Sequence, residues 1–229
     1  VVSYTVSARK REGHLKDFLE SNYPSDIDSV FGFAEFSSLY GGRPFWGEEL
    51  SQNEIKWLYS EGIGYRIPCT NHNISEGKYT ENLGFLDKYH RAGNTIIAVN
   101  DDFARWVKRD FPLYEVEASA IKKLDRIDKI NKALDLYHTV VLPADCNDNT
   151  KLLKSIIDKS RVRLFARAGC AYTCPSRICY KSFSEHMDDK SIELLCSIPI
   201  KQRPLLGITD FDIQPLVDMG FTKFKMVPR

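Results

Sequence analysis

LYEVEASAIKKLDRIDKINKALDLYHTVVLP, residues 113–143, reads as a strand, a helix and a second strand in direct succession. LYEVEA (113–118) and TVVLP (139–143) are short runs rich in β-branched and aromatic residues, and Ile121–Tyr137 between them has helical length. The alternation continues in both directions. VVSYTV (1–6), SVFGFAEF (29–36), GYRIP (64–68) and TIIAV (95–99) precede this unit as strands, and VRLFA (162–166) and KFKMV (223–227) follow it. His14–Glu20, Gln52–Ser60, Leu83–Arg91, Asn149–Lys159 and Asp212–Asp218 read as helices, with Ile55, Leu58 and Tyr59 making one apolar face. Eight strands alternating with helices is the pattern of a closed parallel (β/α)8 barrel or of a large doubly wound sheet. Eight units in 229 residues fit the barrel, near the short end of its range. No linker, repeat or low-complexity stretch interrupts the series. The expectation is an α/β, TIM-barrel-like single domain over 1–229, with a cysteine-bearing excursion at about 168–205 between strands seven and eight.

Composition narrows the class of protein. Lys+Arg 32 against Asp+Glu 31, with 43% hydrophobic residues, excludes a disordered chain. No stretch approaches the ~18 continuous apolar residues of a membrane span. VVSYTVSARK at the start has a strand pattern and lacks the apolar run of a signal peptide. A net charge of +1 makes no whole-chain case for nucleic acid, so contact with RNA needs a local patch. Six cysteines in a chain this rich in core residues are not a disulfide framework, and a reducing, cytoplasmic setting is expected.

Four of those cysteines carry the clearest chemical signal. FARAGCAYTCPSRICYKSF (165–183) places Cys170, Cys174 and Cys179 directly after a strand, and Cys196 follows. Their spacings of three, four and sixteen residues differ from the paired Cys-x-x-Cys motifs of a zinc ribbon. Soft thiolates on one excursion can hold a [4Fe–4S] cluster, with zinc as the alternative. On a barrel the strand C-termini meet at one face, where active sites form. That face would gather Arg43, Asn71, His72, Glu117, Arg167 and Tyr172. Arg43 can hold a carboxylate or phosphate bidentately, or pair with a neighbouring glutamate such as Glu48. His72 can act as an acid–base group or serve as a loop cap, and Arg167 can meet an anionic substrate or pair inside the barrel with Glu117. Asp101 and Asp102 read as helix caps, Cys146 as a small buried residue, and the Lys122-Lys123 and Lys151–Lys154 runs as solvated helix faces. No Gly-x-Ser-x-Gly elbow and no His-Glu-x-x-His motif is present.

In order along the chain, these segments resemble the barrel domain of the peptidase U32 family. Phe165-Ala166-Arg167-Ala168-Gly169-Cys170, then Cys179 and Cys196, is similar to that family's Phe-x-His-Gly-Cys strand end and its later cysteines. Ile208-Thr209-Asp210-Phe211 loosely matches its Ser-Pro-Lys-Asp-Leu segment, and Lys225-Met226-Val227-Pro228-Arg229 its Lys-Ile-Glu-Gly-Arg strand. Asp28-Ser29-Val30-Phe31-Gly32, Arg43 and Thr70-Asn71 resemble its early motifs. Arg167 replaces the family histidine and Val227 its glutamate, while Cys174, in Tyr172-Thr173-Cys174-Pro175-Ser176, takes the place of a fourth cysteine. The resemblance implies an iron–sulfur oxidoreductase that hydroxylates a nucleobase or small aromatic molecule without oxygen, acting on RNA in some members. Cys170, Cys174, Cys179 and Cys196 would be the ligands. Arg43, Glu117 and Arg167 would orient substrate held by Asn71, His72 and Tyr172, with an electron donor or partner subunit supplying reducing equivalents. The alternatives are a U32-type peptidase and a non-catalytic subunit stapled by its metal.

Overall fold

In the computed structural model, segment 113–143 is a strand–helix–strand unit with a shortened helix. β5 (Glu115–Ala118) and β6 (Thr139–Val141) pair in parallel, Glu117 beside Thr139 and Ala118 beside Val140. The helix between them, α6 (Ile127–Leu134), starts later than the sequence suggests. Ser119 caps a 3-10 turn (Ala120–Lys122) instead, and Lys123 ends that turn in the left-handed region at φ 53°. A left-handed residue cannot continue a helix, so the chain restarts at Ile127. The structure describes residues 1–9, 13–43, 45–174, 178–196 and 207–227.

The other barrel strands are β1 (Ser3–Ser7), β2 (Ile27–Phe31), β3 (Gly64–Ile67), β4 (Thr95–Ala98), β7 (Val162–Ala168) and β9 (Lys223–Met226). Each pairs in parallel with the next around the ring. β6 meets β7, β7 meets β9, and β9 returns to β1 with Lys225 beside Thr5. Closure leaves no free edge along the ring. One extra strand, β8 (Thr209–Asp210), runs antiparallel to the end of β7 and pairs Asp210 with Arg167.

Strand two stops at Phe31 rather than continuing to residue 36. Beyond Gly32 the chain is pinned from the side: the Phe33 N–H donates to the Glu49 carboxylate, and the Glu49 and Leu50 N–H groups donate to the Phe33 carbonyl. Backbone groups engaged with a loop are lost to a ladder. Around the ring lie α1 (Leu15–Asn22), α2 (Gln52–Ser60), α3 (Glu76–Glu81), α4 (Leu83–Lys88), α5 (Asp101–Asp110) and α7 (Thr150–Ser155). The excursion carries α8 (Cys170–Thr173) and α9 (Cys179–Asp188), and α10 (Gln214–Asp218) leads into β9. The expected helix Leu83–Arg91 is α4 alone, with α3 before it, and Asn149–Lys159 contracts to α7. Asn100 confirms a start at Asp101, since its side chain accepts from the Phe103 N–H. Pro44, Pro175, Ser176, Pro228 and Arg229, together with 197–205 of the excursion, lie outside the described residues.

The main apolar core lies between ring and helices, where Leu19, Leu58, Leu86, Phe103, Ile130 and Leu153 bury the inner helix faces. Inside the ring the filling is charged: Arg66, Glu117 and Arg163 are 3%, 0% and 2% exposed.

Candidate active site

The strand C-termini enclose a cavity of about 170 Å³. Phe31 reaches it from the end of β2, Thr70 from the loop after β3, Ser119 from the end of β5, and Phe165 and Lys225 from β7 and β9. Arg43 enters from the loop after β2, and Tyr180 covers one side from α9. Parallel register sets Lys225 beside Phe165 and Thr5, one side-chain layer above Arg163 beside Lys223. The Lys225 ammonium sits over the Phe31 ring at 4.5 Å and 5.9 Å from the Phe165 centroid. Among the described residues it has neither a hydrogen bond nor a salt bridge, and its remaining exposure is toward the cavity it lines.

Below that layer, Glu117 collects the interior charges. Its Oε2 pairs with Arg66, lies 3.2 Å from Arg163 Nε and accepts from the Thr139 hydroxyl at 2.9 Å. Arg163 also reaches Asp28 at 3.3 Å and the Phe224 carbonyl at 3.2 Å. Burial pushes the Glu117 carboxyl up, but Arg66, Arg163 and Lys225 outweigh it and hold the group down at about 2. Burial pulls the Lys225 ammonium down to about 8; Glu117 opposes this, while Arg66, Arg163 and Arg43 add to it. Three interior cations therefore face Glu117, with Asp28 reaching in only at Arg163. The surplus positive charge points into the cavity.

The residues singled out from sequence divide into three places. Arg43 lines the cavity, held bidentately by Glu49 rather than Glu48, with its guanidinium 4.0 Å over the Phe33 ring. Glu117 lies beneath the cavity floor. Arg167, expected to orient substrate with a pair to Glu117 as the alternative, meets neither Glu117 nor the cavity lining: Asp210 takes its Nε and the Asn22 carbonyl its Nη1 at 3.1 Å. Arg66 and Arg163 hold Glu117 because they share its interior layers. Tyr172 donates to Asp148 at 2.9 Å and packs edge-on against Phe211, 5.0 Å between centroids.

Asn71 and His72 dock α9 onto the barrel. Asn71 Nδ2 donates to Asp188 at 2.7 Å, and His72 Nδ1 lies 2.9 Å from the Ser184 hydroxyl. Burial, then Lys122 and Lys181, lower the His72 pKa against Glu185, which favours the neutral ring at pH 7. Gly41 makes this docking possible, because a Cβ there would fall on the Asn71 backbone and the Ser184 hydroxyl. Gly41→Ala is expected to cost about 1–3 kcal/mol in denaturant unfolding by forcing α9 outward; an unchanged midpoint would show that α9 yields freely.

Cys170 opens α8, Cys174 follows its last turn, Cys179 is buried at the start of α9, and Cys196 lies beyond that helix. Cys170 stands at the mouth end of the barrel, since a Cβ on its neighbour Gly169 would lie 3.8 Å from Val227 of the cavity wall. Among the described residues no three His, Cys, Asp or Glu side chains converge in a group able to hold a metal ion.

Arg66, Arg163, Ser184 and Lys225 escaped the sequence reading. A charged residue inside GYRIP, VRLFA and KFKMV was the available signal, because buried barrel strands are otherwise apolar. Fold and site together define a (β/α)8 barrel with a cationic mouth. Among solved structures the chain is similar to one described as "The Structure of the U32 Peptidase Mk0906", with a TM-score of 0.66 and 11% sequence identity, covering 100% of this chain and 92% of that one. The shared feature is the fold. No family model matches the chain, and no curated protein does. No helix of the described residues is long and apolar enough to cross a membrane.

Proposed function

We propose that this barrel is an enzyme whose mouth takes a small anionic molecule with an apolar or aromatic body. The observation that supports the reading is Lys225, a cation with no carboxylate partner among the described residues, facing a cavity walled by Phe31, Ile97, Phe165 and Tyr180. A carboxylate or phosphate there neutralises the interior surplus, and the rings accept the body of the ligand. Titration calorimetry with aromatic carboxylates and nucleoside monophosphates tests it. Lys225→Met is expected to weaken the best ligand about 10–100-fold, the worth of one charge-assisted hydrogen bond. Equal binding by wild type and variant, or no binding by either, overturns the assignment.

Two finer readings attach to this site. Peptide hydrolysis draws support from the solved neighbour's description. The Ser184–His72 pair has the right chemistry for it, but Ser184 is 0% exposed, so attack on a peptide requires α9 to lift. A peptide-cleavage assay on Ser184→Ala decides that reading. Oxygen-independent hydroxylation of a nucleobase or aromatic molecule, in a reducing cytoplasmic setting, draws support from four cysteines close together in sequence after β7. Iron and sulfide analysis of protein purified without oxygen decides that one.

A further inference from the structure

We infer that Lys225 is a nucleophile that forms an imine with the carbonyl carbon of an anionic 2-oxo acid bound in the mouth cavity. The inference rests on the anion-binding reading above and names the substrate class for that site. Its geometric basis is the position of one amine. Lys225 Nζ faces the cavity at the level of the Phe31 and Phe165 rings, and no carboxylate among the described residues bonds to it. An ammonium paired with a carboxylate is held as a cation and cannot attack. Burial, together with Arg66, Arg163 and Arg43, instead disfavours the protonated form of Lys225, with Glu117 opposing them.

A 2-oxo acid suits the remaining features. Its carboxylate can meet the Arg43 guanidinium, which lines the cavity while Glu49 steadies it, and its carbonyl presents an electrophilic carbon beside that carboxylate. Phe31, Phe165 and Tyr180 offer an apolar wall for its side chain. In the step itself the Lys225 lone pair forms the N–C bond, and the carbonyl π pair moves to oxygen. Both amine hydrogens leave with that oxygen as water, giving a C=N bond with no change in oxidation state. Protonation of the imine restores the positive charge beside the carboxylate. A side chain of this kind at pH 7 carries roughly 200 times more free amine than an ordinary lysine, taking about 8 against the usual ~10.4.

The test is reductive trapping. The full chain is incubated with phenylpyruvate and sodium cyanoborohydride, and the modified lysine is located by peptide mass mapping. Binding of phenylpyruvate and of phenyllactate, which lacks the carbonyl, is measured in parallel by calorimetry. One secondary amine at Lys225 is expected, with an initial rate that rises through a half-point near pH 8. Phenyllactate is expected to bind without being trapped and to protect Lys225. Lys225→Arg keeps the charge, so it is expected to retain binding and lose the modification; Lys225→Met loses the modification and binds about 10–100-fold more weakly. If phenylpyruvate binds but Lys225 stays unmodified, or if label spreads evenly over surface lysines, the imine is overturned and anion binding stands. If neither acid binds, both fall.

Discussion

Glu117→Gln is expected to lower unfolding stability by about 3–5 kcal/mol, the usual cost of removing one partner from a buried ion pair. Glutamine keeps the shape and can still meet the Thr139 hydroxyl, but it leaves Arg66 uncompensated at 3% exposure and Arg163, at 2%, with Asp28 alone. The same carboxylate governs acid stability. Its folded pKa of about 2 lies below the ~4.3 of an unfolded glutamate, so the unfolded state binds more protons between those values. The stabilisation is complete above that window and drains away as pH falls through it toward 2. Denaturant midpoints of wild type and variant across pH 2–7 measure both effects, and wild type alone carries the acid test if the variant does not fold. A loss below about 1 kcal/mol at pH 7 would mean that the arginines find other partners.

Lys225→Met is expected to act in the opposite direction, raising stability at pH 7 by about 1–2 kcal/mol while weakening ligand binding about 10–100-fold. A buried ammonium without a carboxylate is costly, and the Phe31 ring offsets only part of that cost. Lys225 has a folded pKa of about 8 against ~10.4 unfolded, so here too the unfolded state holds the extra proton. Wild-type stability should therefore climb as pH rises from 8 toward 10.4, the penalty being fully present below 8. The variant should lack that slope. Thermal unfolding over this range reads it directly. A destabilised variant with an unchanged slope would show that Lys225 is compensated by packing and carries no functional strain.

The barrel was legible because its signals are local. TIIAV, TVVLP and VRLFA are apolar runs of strand length, and closure follows once each must hide both faces. What failed locally had distant causes: strand two ends early because Glu49 captures the Phe33 backbone, and α6 starts late because Ser119 and Lys123 build a turn first. Arg43 was readable as a residue of the mouth, since a loop after a barrel strand can lead nowhere else. Glu117 and Arg167 were readable as unusual, but not as members of separate networks, since Arg167 meets Asp210 and Asn22 while Glu117 meets Arg66 and Arg163.

By itself the sequence determined the periodicity, the eight-fold alternation and the end of the barrel where chemistry gathers, because strand and helix preferences act over a few residues. It could not determine which charges share the interior. Arg66, Glu117, Arg163 and Lys225 come from four strands, and only the ring's register brings them into adjacent layers. The energy of a charge depends on its neighbours and on the water it loses, both of which are properties of the closed fold. Tertiary structure therefore decided that Glu117 meets Arg66 and Arg163, that His72 meets Ser184 of α9, and that Lys225 faces the cavity with no carboxylate partner among the described residues.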